Sequence, residues 1–423
     1  MINGCNLVGI ANKMLFLSIN KVWRIELNQK SYSFVRSLFG EYYRRYYLSD
    51  FPSKMDRREF GFNLFEGFML RHKSFSTPEE LKSFLETSIP MDAYYSCAYY
   101  ENPTAEMDQK GWLGADLIFD VDADHIPTDC DKVHDEWACS ACGFVGKGVT
   151  PEKCPICNGE KFNVITWPCE TCLESAKMET IKLLDMLMDD FGFSDKEIKV
   201  FFSGHRGYHI QIESETVLAL DAIARKEIVD YVIGLGFNAE PLDITQQYFY
   251  GWRKRLNKGV LGFISKATEE DLVKIGLKRN LAKAIIKNKN VFLENWVSGT
   301  WRNIKGVGPE TIKRIMEHSV KMQSAKIDTV VTTDIHRLIR LPNTLNGKTG
   351  LKKTWLPASE IESFDPFDKA VAFKKGTVSL FVSDAPRFRL GGETFGPYKR
   401  QKVELPTSAA ALLICKNKAE VLG

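Results

Sequence analysis

The chain has 423 residues, long enough for two or three domains and a substantial core. Its 57 basic and 54 acidic side chains leave a formal net charge of only +3, so nucleic-acid binding must rest on local patches and not on a global positive field. With 44% hydrophobic and 26% charged residues it has the composition of a soluble globular protein, and no apolar run reaches the length of a membrane span, so a cytoplasmic protein without a membrane partner is expected.

Met1 to Phe16 is mildly apolar, but Asn12 and Lys13 interrupt it, and it lacks a charged leading region and a small-residue cleavage site. It does not read as a signal peptide, and Met14 is an alternative start. Residues 30–90 read mainly as helices, with Tyr42, Tyr43, Tyr46 and Tyr47 assigned to helix packing rather than to base stacking. In the stretch Asp116-Leu-Ile-Phe-Asp-Val-Asp-Ala-Asp-His125, Leu117, Phe119 and Val121 alternate with Ile118, Asp120 and Asp122. That is strand periodicity, and it places Asp120 and Asp122 on one face. Two carboxylates that close repel unless a cation lies between them, and Mg²⁺ or Mn²⁺ takes oxygen ligands while keeping room for substrate phosphates. The functional reading is a metal site for phosphoryl transfer; the bland one is a polar strand end. His125 either supports these acids or forms a surface turn.

Seven of the ten cysteines lie between Cys130 and Cys172, which in an intracellular protein argues for metal rather than disulfides. Cys139-x2-Cys142 and Cys154-x2-Cys157, with Gly143 and Gly159 beside the knuckles, read as a zinc ribbon. Cys130, His134, Cys169 and Cys172 bracket it as a second four-ligand set. Each set fills four positions and is therefore structural, although spacing alone leaves the pairing of ligands open. Cys5, Cys97 and Cys415 read as ordinary thiols. Leu173 to Phe191 then predicts an amphipathic helix with Ile181, Leu184, Leu187 and Met188 on one face.

Lys199-Val-Phe-Phe-Ser-Gly-His-Arg-Gly-Tyr-His-Ile-Gln211 reads as strand, Gly-bracketed turn and strand. Gly204 and Gly207 allow close backbone approach to a ligand, and Ser203, His205, Arg206 and His209 surround the turn with donors suited to a triphosphate. Residues 216–325 look mostly helical. Within them, Ile304-Lys-Gly-Val-Gly-Pro-Glu-Thr-Ile312 has the form of a helix-hairpin-helix turn that could meet a DNA phosphate, but a plain helix-helix turn is the favoured reading. Trp252-Arg-Lys-Arg255 is a basic patch candidate or a solvated face. Finally, Thr333-Asp-Ile-His-Arg-Leu-Ile-Arg-Leu-Pro-Asn-Thr-Leu-Asn-Gly-Lys-Thr-Gly350 supplies a third acid, Asp334, with Arg337, Arg340 and Lys348.

These segments resemble the small, catalytic subunit of archaeal and eukaryotic DNA primase, in its archaeal form. The resemblance rests on the D-x-D strand, the S-G-x-R-G-x-H turn, the late Asp with its basic L-P loop ending in G-K-T-G, and a fourth block, Arg57-Arg-Glu-Phe-Gly-Phe62 with Arg71-His-Lys-Ser-Phe75. It covers roughly residues 30–385, and four blocks in order are far more specific than any one. It implies an α/β fold, a mixed sheet flanked by helices. The catalytic domain is expected in three parts, 30–129, 173–215 and 326–423, interrupted by a zinc module at 130–172 and a helical insertion at 216–325. By resemblance the outer cysteine set is a zinc knuckle, and the ribbon is an insertion into it.

The resemblance further implies that Asp120, Asp122 and Asp334 hold two Mg²⁺ or Mn²⁺ ions for nucleotidyl transfer to a primer 3′-hydroxyl. Ser203, His205, Arg206, His209, Arg340, Asn346 and Lys348 would grip the triphosphate, with Glu59 and Arg71 at the edge of the site. Expected partners are single-stranded DNA, nucleoside triphosphates and a large primase subunit carrying an iron–sulfur module. Two positions depart from the family pattern: His205 stands where many relatives have Arg, and Asn346 where relatives usually have His. The competing readings are a repair or mobile-element primase-polymerase, a non-catalytic zinc-dependent nucleic-acid-binding protein, and a metal-dependent nuclease, which has no need of a triphosphate-gripping turn.

Overall fold

The computed structural model describes residues 29–45, 51–237, 250–300 and 306–422. Met1 to Phe16, Tyr46, Tyr47 and the first two residues of the Ile304 to Ile312 turn lie outside them. Among the described residues no helix is long and apolar enough to cross a membrane.

Two four-stranded sheets form the centre. One runs Leu338–Arg340, Asp92–Ser96, Phe60–Asn63, Met69–Lys73; the other runs Thr354–Leu356, Ile198–Phe202, Gly207–Ile212, Leu117–Asp122. The structure is thus mixed α and β, but its paired strands are antiparallel throughout the described residues, where a mixed sheet was expected. For Ile198–Phe202 and Gly207–Ile212 the reason is local, a tight turn too short for the long crossover a parallel pair needs; other pairs, such as Leu117–Asp122 with Gly207–Ile212, join segments far apart in the chain. The sheets are tied together in the core, where Tyr95 Oη donates to Gln211 Oε1 at 2.7 Å. Below them Arg58, fully buried, pairs with Asp116 at 2.7 Å and donates to the carbonyls of Ser53, Ser96 and Cys97. A buried guanidinium is tolerable because so many of its donors are satisfied.

The helix Glu170–Asp189 backs the second sheet. Its buried face carries Leu173, Ala176, Thr180, Leu183 and Leu187, and Met188 is 38% exposed. Leu184 and Leu187 of the expected stripe are buried and Ile181 is half-buried, and the helix starts at Glu170, three residues nearer the N-terminus than the periodicity indicated.

Residues 251–297 form a series of helices, and Gly251–Lys266 packs on Pro309–Gln323. Here two of the three cations of the Trp252 to Arg255 patch are already paired, and Arg253 is exposed. Trp252 is buried and donates to Tyr231 O at 2.8 Å, Lys254 pairs with Asp189 at 3.0 Å, and buried Arg255 pairs with Asp190. Asp328 then caps the short helix Thr329–Thr333 by accepting from Val330 N at 3.0 Å, and this helix lies on the Leu117–Asp122 strand. The C-terminal part is a three-stranded sheet, Tyr398–Pro406, Thr377–Ala385, Ala419–Val421, with the apolar helix Thr407–Cys415 buried against it.

Candidate active site

The site lies in a cavity of about 500 Å³ between the two central sheets. Asp120 and Asp122 enter it from the Leu117–Asp122 strand, whose other side chains are buried. This strand pairs with Gly207–Ile212 so that His209 lies opposite Asp120 and Gly207 opposite Asp122. His209 Nε2 is 3.5 Å from Asp120 Oδ1, and its Nδ1 is buried without a partner. Burial, with Lys353, Arg340 and Arg337 nearby, holds the His209 ring well below the usual histidine range and therefore neutral. Asp120 is pushed up to about 7 by burial and by the charges of Asp122 and Asp328. Asp122 is also raised by burial, against the pull of Arg206.

A further acid beside the pair is Asp328, whose charge acts on Asp120. Its backbone N–H donates to Asp120 O at 2.8 Å, and its Oδ2 lies 3.9 Å from His125. Neither Asp328 nor Asp334, the expected third acid, lines the cavity, but it is Asp328 whose backbone bonds to the acid strand. Asp334 closes the far end of the Thr329–Thr333 helix, where its Oδ1 accepts from His336 N at 3.0 Å and its Oδ2 is 4.0 Å from Arg337. The helix separates its two ends by on the order of 8 Å, which puts Asp328 at the end beside Asp120 and Asp334 at the other. The hard oxygens of Asp120, Asp122 and Asp328 fit Mg²⁺ or Mn²⁺. They stand open rather than caged: among the described residues, only the two cysteine sets bring three or more ligand atoms within 4.8 Å of one another. Openness suits ions that share their coordination with substrate phosphates.

The opposite wall is basic. Arg340 Nη1 donates to Asp92 Oδ1 at 2.5 Å and to Leu345 O at 3.1 Å; burial disfavours its charge, but Asp92 more than restores it. Asp92 also accepts from Gly347 N at 2.9 Å, so one carboxylate fixes both the arginine and the basic loop. Lys348 lines the cavity beside Asn346, whose Oδ1 accepts from Lys348 N at 2.9 Å. Lys353, fully buried, donates to Arg340 O at 2.7 Å and is held well below the usual lysine range by burial.

The Ser203 to Gly207 turn joins the two walls. Ser203 Oγ accepts from His205 N at 3.2 Å and Gly207 N at 3.3 Å. Gly204 has φ +81°, and a Cβ on Gly207 would lie 2.3 Å from Val121 O. Gly207 is thus required by the acid strand, not by close approach to a ligand. His205 is neutral, held well below its usual range by burial and by Lys416, whose Nζ is 2.9 Å from its Nε2; Thr166 Oγ1 is 3.1 Å from the same nitrogen. Arg206 faces away from the cavity. It is fully buried, pairs with Asp124, and donates to Asp135 Oδ2 at 2.6 Å.

Glu59 and Arg71 also lie outside the cavity lining. Arg71 Nε donates to the buried Glu59 carboxylate at 2.9 Å, and Lys110 lies 3.4 Å from its other oxygen. Sequence reasoning missed Asp328, Asp92 and Lys416. The only local signal was for Asp328, an N-cap residue before Thr329.

Both cysteine groups assemble as paired from the sequence: Cys130, His134, Cys169, Cys172, and Cys139, Cys142, Cys154, Cys157. Cys130 Sγ lies 3.5 Å from Cys172 Sγ and from His134 Nε2; Cys139 to Cys157 is 3.5 Å and Cys142 to Cys154 is 3.6 Å. A tetrahedron with zinc–sulfur bonds near 2.3 Å has edges of about 3.8 Å, so these donor sets fit zinc. Asp135 Oδ1 lies 2.7 Å from His134 Nδ1, on the side of the ring away from the sulfurs.

A family model described as DNA primase small subunit matches residues 165–356, a span that contains the turn, Asp328 and the basic loop. Curated relatives named DNA primase small subunit PriS match nearly the whole chain. That of Methanococcoides burtonii is 33% identical over 93% of this chain and 99% of its own length. Those of Cenarchaeum symbiosum and Nitrosopumilus maritimus are 33% and 30% identical, over 90% and 93% of this chain and 97% and 100% of their own lengths. End-to-end similarity at this level, over a site of acids facing cations, shows that the chain belongs to the DNA primase small subunit family.

Proposed function

We propose that this chain is the catalytic subunit of a DNA primase, joining nucleoside triphosphates into short RNA primers on a single-stranded DNA template. The observation that carries this reading is the cavity itself: Asp120 and Asp122 on one sheet face Arg340 on the other and Lys348 in the loop that follows it, with Ser203 between them. The primer 3′-hydroxyl gives up its proton to solvent, its oxygen attacks the α-phosphorus to form a new P–O bond, and the bond to the leaving pyrophosphate breaks. Asp120, Asp122 and Asp328 would hold Mg²⁺ or Mn²⁺, which would supply a lowered hydroxyl pKa and charge compensation for this exchange. The chain's own residues do the rest. Arg340 and Lys348 receive the triphosphate charge, and Asp92 fixes them so that little reorganisation is required. Neutral His209 offers a ring N–H at the acids without adding a charge that would compete for them. Zinc in the two cysteine sets is structural, since each set is closed. A large subunit, as family membership implies, is the expected partner.

Primer synthesis on unprimed single-stranded DNA with labelled nucleotides, with and without Mg²⁺ or Mn²⁺, tests this directly. Lys348→Ala should raise the nucleotide KM with a smaller effect on kcat. Metal-independent product, or no product with either ion and the large subunit present, would sink the proposal.

A further inference from the structure

Arg206 is the one charged member of the turn that the cavity does not use, and its partner leads to the zinc module. Asp135 is 4% exposed at its side chain and bridges three segments. Its Oδ2 accepts from Arg206, while its Oδ1 accepts from Trp167 N at 2.9 Å and faces His134 Nδ1 at 2.7 Å. His134 turns Nε2 toward the sulfurs, 3.5 Å from both Cys130 and Cys172. A metal bound through Nε2 obliges the ring proton to sit on Nδ1, where it donates to Asp135. With Nε2 protonated in a neutral ring instead, the Nδ1 lone pair would oppose the carboxylate. The adjacent residue of the turn is held from the same module, by Thr166 on His205.

We propose that Asp135 is a positioning residue that couples zinc in the Cys130, His134, Cys169, Cys172 set to the Ser203–Gly207 turn, so that zinc loading and nucleotide binding reinforce each other. This rests on the zinc and triphosphate readings above. Arg206 is its far end: the Arg206 carbonyl accepts from Ala123 N at 3.2 Å, next to Asp122, so a shift of Arg206 moves the turn and the acid strand together. The coupling is reciprocal by linkage.

The test follows zinc release from the purified full chain with a zinc-selective chelator and a zinc-responsive dye. The Cys139, Cys142, Cys154, Cys157 ribbon is the internal reference, its phase identified with Cys157→Ser. Asp135→Asn keeps an acceptor for Trp167 N and removes the charge. Release from the outer set should quicken about ten-fold or more, the scale on which partners of metal-bound histidines act, with the ribbon phase unchanged. ATP with Mg²⁺ should slow outer-set release from the unmodified chain and lose that effect in Asp135→Asn, a readout that a merely structural strut would not move. Unchanged release in Asp135→Asn, or equal ATP protection in both chains, overturns the proposal. Failure of the zinc-loaded chain to bind ATP in equilibrium dialysis would instead sink the triphosphate reading, while the nucleotide-free comparison still decides the Asp135 link. If Asp135→Asn does not fold, Arg206→Gln cuts the same link from the other side, and unchanged outer-set release from it is equally fatal.

Discussion

Asp328→Asn and Asp334→Asn are near-identical changes six positions apart, and the structure assigns them opposite outcomes. Asp328 shares its environment with Asp120, since its charge helps push that carboxyl up to about 7 after burial and Asp122. Removing a preorganised charge at the reacting centre costs about 10²–10³ in kcat. Asp334 has two local roles. Its bond from His336 N survives in Asn, and its 4.0 Å contact with Arg337 joins two side chains about 40% exposed. Such a surface pair contributes about 0.2–1 kcal/mol, so Asp334→Asn should cost less than about five-fold in rate. Folding should survive both changes, because Asn serves as an N-cap as well as Asp does at position 328 and keeps the acceptor for His336 N at position 334. The metal-free Asp328→Asn chain should even gain stability at neutral pH. A carboxyl raised from 3.8 penalises the folded state above its folded pKa, and losing Asp328 relieves part of that penalty; the gain fades as pH falls toward 3.8. Single-nucleotide extension of a primed template, with thermal unfolding in parallel, measures all of this. A dead Asp334→Asn beside an active Asp328→Asn would refute the placement of the third acid.

Gly207→Ala should cost at least about 1–3 kcal/mol and most of the activity, because its Cβ would meet Val121 O at 2.3 Å on a backbone that cannot yield; unfolding midpoints close to wild type would refute the steric argument. Asp92→Asn leaves Arg340 buried without a counter-charge and should lower stability by about 2–4 kcal/mol while raising the nucleotide KM, as read from denaturant unfolding and saturation curves. Lys416 is pushed down from 10.5 to about 7 by burial first, then by Lys348 and Arg206, so the unfolded state binds the proton more tightly and wild-type stability rises with pH between those values. Lys416→Met removes this slope, and its stability relative to wild type should improve as pH falls from 10 to 7; parallel curves would show that Lys416 does not titrate there. Metal analysis should find about two zinc ions per chain, and Cys154→Ser should lower stability more than nucleotide addition.

The parts of this site legible in the sequence are those whose chemistry is local. The acid pair showed itself by alternation, the turn by its packed Gly, Ser, His and Arg, and both zinc sets by spacing. What stayed hidden depends on distant segments. Asp92 anchors Arg340 across 248 positions, and Lys416 reaches His205 across 211. The basic run at Trp252 to Arg255 carries no sign of Asp189 and Asp190, which pair with Lys254 and Arg255 from the end of another helix. Asp334 was attractive because it abuts the basic loop, but Thr329-Val-Val-Thr-Thr333 is β-branched and hides a helix that exists because Asp328 caps it and the Leu117–Asp122 strand packs beneath it. Propensity opposed that helix and tertiary packing imposed it. The same reasoning explains Arg206. Read alone, an arginine in a Gly-bracketed turn belongs to a phosphate; read with Asp135, it belongs first to the frame that holds the turn in place. A charged residue's role is set by which opposite charge the fold brings to it.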